Sequence, residues 1–519
     1  MVADERGKEV FRDWVQPMAI QVACESVSTQ MDSMVKALST ASSITKLTPR
    51  FLRAWSLKDT VVRPANLLAP DVVKILFSAL NTKQGLAKNK KKIRILFALY
   101  SIIGQIASRR SQNCSDFAGP MTLFWWKHGA SRESLEVLQN LGLSKSFDSA
   151  QAMIGSVADY CIEDACAEAR SPHGIMANWD NVNISTSDFV EQRSGGPAKV
   201  QSGTYPILYR IRNPNPAAMA IGPLLARAET APDLEFNHDV CPTLEQSMNI
   251  YCNFRAYIVR TLCRYNKGFE DYSSISALQF LPRRPLPDGY ITHQFPVRLS
   301  TIEENSIPGN LAVHEDIFIT QLRLTSAELI FQLGIGLFHL CLNLIWAILH
   351  SHRGHETIEG SLSFFFIVLE KARLGGKHPD YHSLLAALMQ ILDGLLLDAW
   401  RLECGSTTLS AFAATKPTPE QILVIADRIL ANHGMPERLP SSSPVDNIHG
   451  NTQRLIHDLL HVSEVTRAIS DGDFGRIEDL LGNLAMIFRG AGSKNYCTEI
   501  LYFMHNLKFV WKGDGFECV

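Results

Sequence analysis

The sequence lacks most of the signatures that announce a chemistry. Its 519 residues contain no phosphate-binding P-loop, dinucleotide fingerprint, GxSxG elbow or kinase motif, which leaves the common nucleotide-dependent and acyl-transfer enzymes without a foothold. The eleven cysteines are scattered, with no CxxC pair and no finger-like Cys/His spacing. That excludes a disulfide framework or zinc finger and points to reduced thiols. Charge of one sign is not in excess, since Lys plus Arg number 50 against 52 for Asp plus Glu. A net charge of −2 gives no global attraction to nucleic acid, so any polyanion contact must come from local patches. The opening residues MVADERGKEVFRDW hold no apolar segment and several acids, so the expectation is an intracellular protein, nuclear or cytoplasmic. Internal repeats and sustained heptads are absent as well.

Long apolar runs are scarce. The exception is ELIFQLGIGLFHLCLNLIWAILHSH, Glu328 to His352. About 20 apolar residues can span a bilayer, but His339 and Asn343 lie one helical turn apart near its middle, where lipid burial is costly. No flanking lysine/arginine cluster anchors it. The expectation is a helix buried in protein, with no membrane partner.

With 46% hydrophobic and 20% charged residues, the chain has the balance of an ordinary globular protein. Its periodicity predicts a mainly α fold, a large helical protein with a small central β-sheet. The segments read as a helical region over 1–120, a helical hairpin over 121–170, a small α/β core over 171–325, a helical insertion over 326–435 and a C-terminal helical region over 436–519 that closes on the core. Ser131 and Ser144 or Ser146 are the expected N-caps of the hairpin, and Gly142 its C-cap. The hairpin resembles a helix-turn-helix, yet its second helix has no basic residue after Lys145, so packing is favoured over base reading. Two strands are predicted around HGIMANWDNVNIS and Thr204 to Arg212, and PERLPSSSP, from Pro436 to Pro444, reads as a linker.

Several residue sets could carry chemistry. The run containing Lys90, Lys91 and Lys92 reads as a solvated helix start, or as a nuclear-import or phosphate-contacting patch. Asp180 ends a predicted strand beside Asn181 and Asn183, where it could ligate a divalent ion or make Asx-type hydrogen bonds. Glu499 lies early in the last helix, a place the helix macrodipole favours without any function. His339 and Asn343 share a helix face and could donate to phosphate or bridge buried polar groups. HSHRGHE, His350 to Glu356, has zinc-binding composition but no cysteine nearby. His457-Asp458-Leu459-Leu460-His461 imitates zincin spacing with Asp where the general-base Glu belongs.

Four stretches together resemble a family: RSQNCSDFAGPMTLFWWKHGASRESLEVLQNLGLSKSFDSA, WDNVNI with a following SGT, GLFHLCLN with GSLSFFFIVL, and EVTRAISDGDFGRIEDLLGNLAMIFRGAGSKNYCTEIL. They are similar to a fungal domain-of-unknown-function family of multicopy, transposon-like proteins. The resemblance covers residues 60 to 515, and its most specific pieces are GLFHLxLN and AIxxGDxGR…GxxxYxxE. It implies a degenerate RNase H-like core with a helical insertion before the last acidic residue. It further implies metal-dependent phosphoryl transfer on DNA in the ancestor, with Mg2+ or Mn2+ as cofactor. Carried over by position, Asp180 and Glu499 become metal-binding catalytic acids, with Asp316 a substitute third. His339 and Asn343 match the Phe-His-x-x-x-Asn pair. The family's Gly-Asp-Gln-x-Thr strand has no counterpart here, because IFQLGIGLFHL follows QLRLTSAEL directly. The expectation is therefore a nucleic-acid-associated protein with a degenerate site and DNA as partner. The alternative is a helical scaffold that binds other proteins.

Overall fold

A computed structural model describes residues 5–39, 47–81, 92–185, 200–215, 220–304, 306–325, 334–436 and 447–511. The architecture is mainly helical with one small sheet, as the periodicity predicts. In chain order the principal elements are α1 (Glu5–Ala37), α2 (Pro70–Leu80), α3 (Lys92–Arg110), α4 (Ser115–Lys127), α5 (Arg132–Asn140), α6 (Phe147–Ala169), β1 (Ile175–Ser185), β2 (Val200–Arg210), α7 (Ile221–Thr230), α8 (Leu244–Tyr265), β3 (Gln294–Pro296), α9 (Ile307–His314), α10 (Leu337–His352), α11 (Tyr381–Glu403), α12 (Pro419–Ile429), α13 (Asn447–Asp471), α14 (Phe474–Gly490) and α15 (Lys494–His505). They form two compact units. One comprises Met1–Arg210 and His293–Leu329, the other Ile211–Thr292 and Ile330–Val519. Two of the three divisions, after Arg210 and after Thr292, fall inside the stretch 171–325, and the third follows Leu329.

In the first unit, α1 to α4 enclose a core of Met31, Met34, Val61, Leu99, Ile103 and Phe117. The hairpin forms as its caps predict. The Ser131 and Ser146 hydroxyls accept the Ser134 and Ser149 amides, and Gly142 takes φ +77°, a conformation open to glycine. Ser144 instead donates to the Leu135 carbonyl. Beyond α6, β1 and β2 pair antiparallel over their full length, and β3 joins the far edge of β2. Three residues make β3, too few for a periodicity signal. Ile175, Ala177 and Trp179 face a core with Leu208, Phe295, Ile317 and Phe318.

The second unit is built around α8, α10, α11, α13 and α14. Thr243 and Gln246 form a capping box at the start of α8 and Thr418 with Gln421 does the same for α12, each satisfying amides the first helical turn leaves open. Helix α10 carries the apolar run and buries Leu340, Cys341, Leu344, Ile345, Ile348 and Leu349 in this core. Among the described residues, α11 is the helix long and apolar enough to cross a membrane, and half of its apolar window is buried inside the protein.

The AIxxGDxGR block is spent on folding. Gly472 turns the chain from α13 to α14 at φ +65°, and a Cβ there would lie 2.7 Å from Leu286. The Asp473 carboxylate accepts three amides, from Arg283, Arg284 and Arg476. At Gly475 a Cβ would meet those of Arg283 and Arg284 at 2.8 and 3.0 Å. Arg476 pairs with both Glu464 oxygens at 2.7 Å, each side chain 2% exposed, and with Asp471 at 2.8 Å. The block thus clamps the proline-rich loop after Leu281 into the corner between α13 and α14.

Candidate functional site

Asp180 lies within β1, not at its end, because pairing with β2 continues to Ser185↔Val200. Strand alternation sends Trp179 to the core and Asp180 to the opposite face, shared with Met176. Its Oδ1 accepts the Asn181 backbone amide at 2.8 Å, a contact to the next residue, whereas an Asx turn would reach the amide two residues on. A second carboxylate comes to it from elsewhere: oxygens of Asp180 and Glu304 lie within 4.8 Å of each other.

The SGT motif explains how. Thr204, fully buried, exchanges both backbone hydrogen bonds with Ser300 at 2.8 Å, and its hydroxyl donates to the Ile302 carbonyl at 2.7 Å. Gly203 admits that strap, since a Cβ would stand 2.4 Å from the Ser300 carbonyl oxygen. Asn310 on α9 completes the hold by donating to the Glu304 carbonyl and accepting from the Trp179 indole. Nothing in the sequence around Glu304 marks it; only the strap brings it to Asp180. Asp316, the expected substitute, sits in the π-helical segment Glu315–Gln321 that continues α9 and accepts from the Gln321 side-chain amide at 2.9 Å.

The second unit gathers the other candidates. Gly334, Ile335, Gly336 and His339 line one side of a groove of about 410 Å3, and Asn495, Tyr496, Glu499 and Ile500 line the other. The two most specific stretches of the sequence meet here directly. Asn343 Nδ2 donates to the Tyr496 hydroxyl at 2.6 Å and to the His339 carbonyl at 2.9 Å. Tyr496 in turn stacks on buried Phe488, with ring centroids 5.3 Å apart. Burial raises the Tyr496 phenol above its ordinary range and the Glu499 charge adds to this, against the Asn343 hydrogen bond. The phenol therefore stays protonated near neutral pH. Glu499 and His339 are both exposed in the groove. Tyr496 stood in the GxxxYxxE pattern, but its role needed the contact with Asn343.

His352 of the HSHRGHE stretch and both histidines of the zincin-like stretch are taken up by internal hydrogen bonds. Asp458 lies between two imidazoles, His352 Nε2 at 2.7 Å and His457 Nδ1 at 3.3 Å. His461 is fully buried, with Nδ1 on the His457 carbonyl and Nε2 on the Asn483 amide, both at 2.9 Å. Burial pulls its pKa down to about 4. Both nitrogens of this zincin-like histidine are engaged, so it has none to offer a metal. Taken within either unit, no three His, Cys, Asp or Glu side chains among the described residues bring ligand atoms within 4.8 Å. Of the basic run, Lys90 and Lys91 lie outside the described residues, and Lys92 is the first residue of α3.

Mg2+ and Mn2+ take oxygen ligands and keep several waters. The Asp180/Glu304 pair fits one such ion, whereas a two-ion centre needs further carboxylates that the described residues of the first unit do not bring together.

Residues 229–334 and 328–515 match a family described as Family of unknown function (DUF6589). The matched stretches meet at 328–334, where the expected Gly-Asp-Gln-x-Thr strand has no counterpart in the sequence. No curated protein and no solved structure matches the chain.

Proposed function

The chain belongs to the DUF6589 family, whose function is unknown, and from that premise we propose a nucleic-acid-associated protein of transposase descent with a degenerate metal centre. The observation that carries this reading is the carboxylate pair: a strand-borne Asp180 with Glu304 held within 4.8 Å of it. Two carboxylates at that spacing can share one divalent cation. When bound, the ion would supply positive charge beside a phosphate. Asp180 and Glu304 would hold it, and the strap on Gly203 and Thr204 would fix the spacing. Phosphoryl transfer by paired ions about 3.5–4 Å apart stabilises both attacking and leaving oxygens; a one-ion remnant would keep charge for holding the backbone but lack that double stabilisation. In the second unit, the groove presents the His339 imidazole, the Tyr496 hydroxyl and the Asn495 amide as donors for phosphate or base edges. The RNase H-like ancestry and an intracellular place of action belong to the same proposal.

The test is calorimetric titration of Mn2+ into the purified chain and into Asp180→Ala, Glu304→Ala and Glu499→Ala. Binding lost in the first two variants supports the centre, and the third reports whether the groove acid takes part. DNA binding to the same chain should weaken as salt rises, with no cleavage in Mn2+. Absence of Mn2+ binding at millimolar concentration, together with absence of salt-dependent DNA binding, would overturn the proposal. It would favour a helical protein-binding scaffold, a reading supported by the wholly internal use of the AIxxGDxGR block.

A further inference from the structure

The C-terminal half of α10 carries a histidine arrangement separate from the groove. Trp346 and His350 are one turn apart on the helix, and the loop Arg373-Leu374-Gly375-Gly376-Lys377-His378-Pro379 is laid against them. Three contacts hold that loop. The Trp346 indole donates to the Pro379 carbonyl at 3.2 Å and Arg353 donates to the Gly376 carbonyl at 2.7 Å. The His378 ring packs edge-on against Trp346 with centroids 4.8 Å apart. His378 is thereby placed opposite His350, ring centroids 6.3 Å apart and planes 57° apart. Both histidines are exposed.

We infer that His350 and His378 form a binding site for a late first-row metal ion, Zn2+ or Cu2+, with solvent completing the coordination. An imidazole nitrogen binds zinc at about 2.1 Å, which with a centroid-to-nitrogen distance of about 1.1 Å puts two ligating rings about 5.2 Å apart at the tetrahedral angle and about 6.4 Å apart when they stand trans, as tetragonal Cu2+ allows. The observed 6.3 Å is close to the trans spacing, and rotation of the two exposed side chains by about 1 Å would bring the rings to the tetrahedral one. The tautomer is already set: His350 Nδ1 lies 2.6 Å from the Trp346 carbonyl oxygen, so Nδ1 carries the proton and Nε2 keeps its lone pair. A backbone carbonyl on the non-ligating nitrogen is the usual outer-shell partner of a metal-bound histidine. Among the described residues none hydrogen-bonds to the His378 ring, leaving it a nitrogen to give. Imidazole pairs without carboxylates select zinc and copper over Mg2+ or Mn2+, which separates this site chemically from the Asp180/Glu304 pair.

Trp346 supplies the readout, because paramagnetic Cu2+ bound to His378 would sit close enough to its indole to quench fluorescence. Cu2+ is titrated into the untagged full-length chain while tryptophan emission is followed, then repeated with Zn2+ present and with His350→Ala, His378→Ala and Trp346→Phe. The expected result is saturable quenching, reversed by a chelator and competed by Zn2+, with a smaller amplitude in Trp346→Phe. Losing an outer-shell partner alone costs about 10–100-fold in metal affinity, so each histidine variant should bind at least about tenfold more weakly. Both histidines are exposed, and unchanged circular dichroism of the variants confirms that folding is intact. Quenching of equal affinity in both histidine variants, or none in the parent chain, would overturn the assignment.

Discussion

Replacing Arg476 with alanine tests whether the AIxxGDxGR block is a folding element. In the intact protein Arg476 and Glu464 meet through two 2.7 Å hydrogen bonds with each side chain 2% exposed. The Arg476 guanidinium also lies 5.1 Å from the Phe280 ring centroid. Truncation leaves the Glu464 carboxylate buried, with the Asn253 amide at 2.9 Å as its remaining donor among the described residues. Removing one member of a buried, hydrogen-bonded pair costs about 3–5 kcal/mol, because the other charge is left without compensation. With a urea dependence near the upper end of about 1–3 kcal/mol per molar, the unfolding midpoint of the second unit should fall by about 1–1.7 M. Urea titration followed by circular dichroism and tryptophan fluorescence measures it. Pairing Arg476→Met with Glu464→Leu should recover most of the loss, since an apolar replacement of both partners removes the stranded charge. A shift below about 0.3 M in Arg476→Ala, or a double variant no better than the single, would refute this account.

Three further outcomes are expected. Gly203→Ala should push the 300–304 strap off β2, costing about 1–3 kcal/mol as overpacked sites do and weakening Mn2+ binding; an unchanged midpoint and affinity would contradict the role given to the strap. The depressed pKa of His461, about 4 against an ordinary 6.5, means the unfolded chain takes up a proton between these values while the folded chain does not. Its share of stability is therefore complete above about pH 6.5 and is lost as pH falls towards about 4, at up to about 1.4 kcal/mol per pH unit; His461→Leu should flatten that part of the pH profile, and an unaltered slope would exclude it. Tyr496→Phe should remove the hydrogen bond from Asn343, lowering stability by about 0.5–1.5 kcal/mol and weakening DNA binding at the groove; full retention of both in an equilibrium titration would argue against the groove.

The sequence by itself determined the elements whose signals are local. Helix starts were legible at Ser131 and Ser146, which cap their own helices, because the partners lie three residues away. The burial of the Leu340–Leu349 stretch followed from its periodicity, and β1 and β2 from alternation and the turn-forming residues between them. Tertiary structure decided what depends on residues distant in the chain. Glu304 reaches Asp180 only because Gly203 lets a strap approach and Thr204 binds it, and no local pattern encodes that approach. His339 lines a groove with Tyr496 and Glu499, and Asn343 bonds to Tyr496, because α10 and α15 pack in one core, a contact across more than a hundred residues. The same distance hid the purpose of Gly472, Asp473, Gly475 and Arg476. As a string they resemble a motif awaiting a substrate; in space their hydrogen bonds and close approaches are taken up by the loop from Leu281 to Pro287 and by Glu464. Local propensity follows from the backbone and immediate neighbours, whereas a site is a convergence of side chains, and convergence is a property of packing.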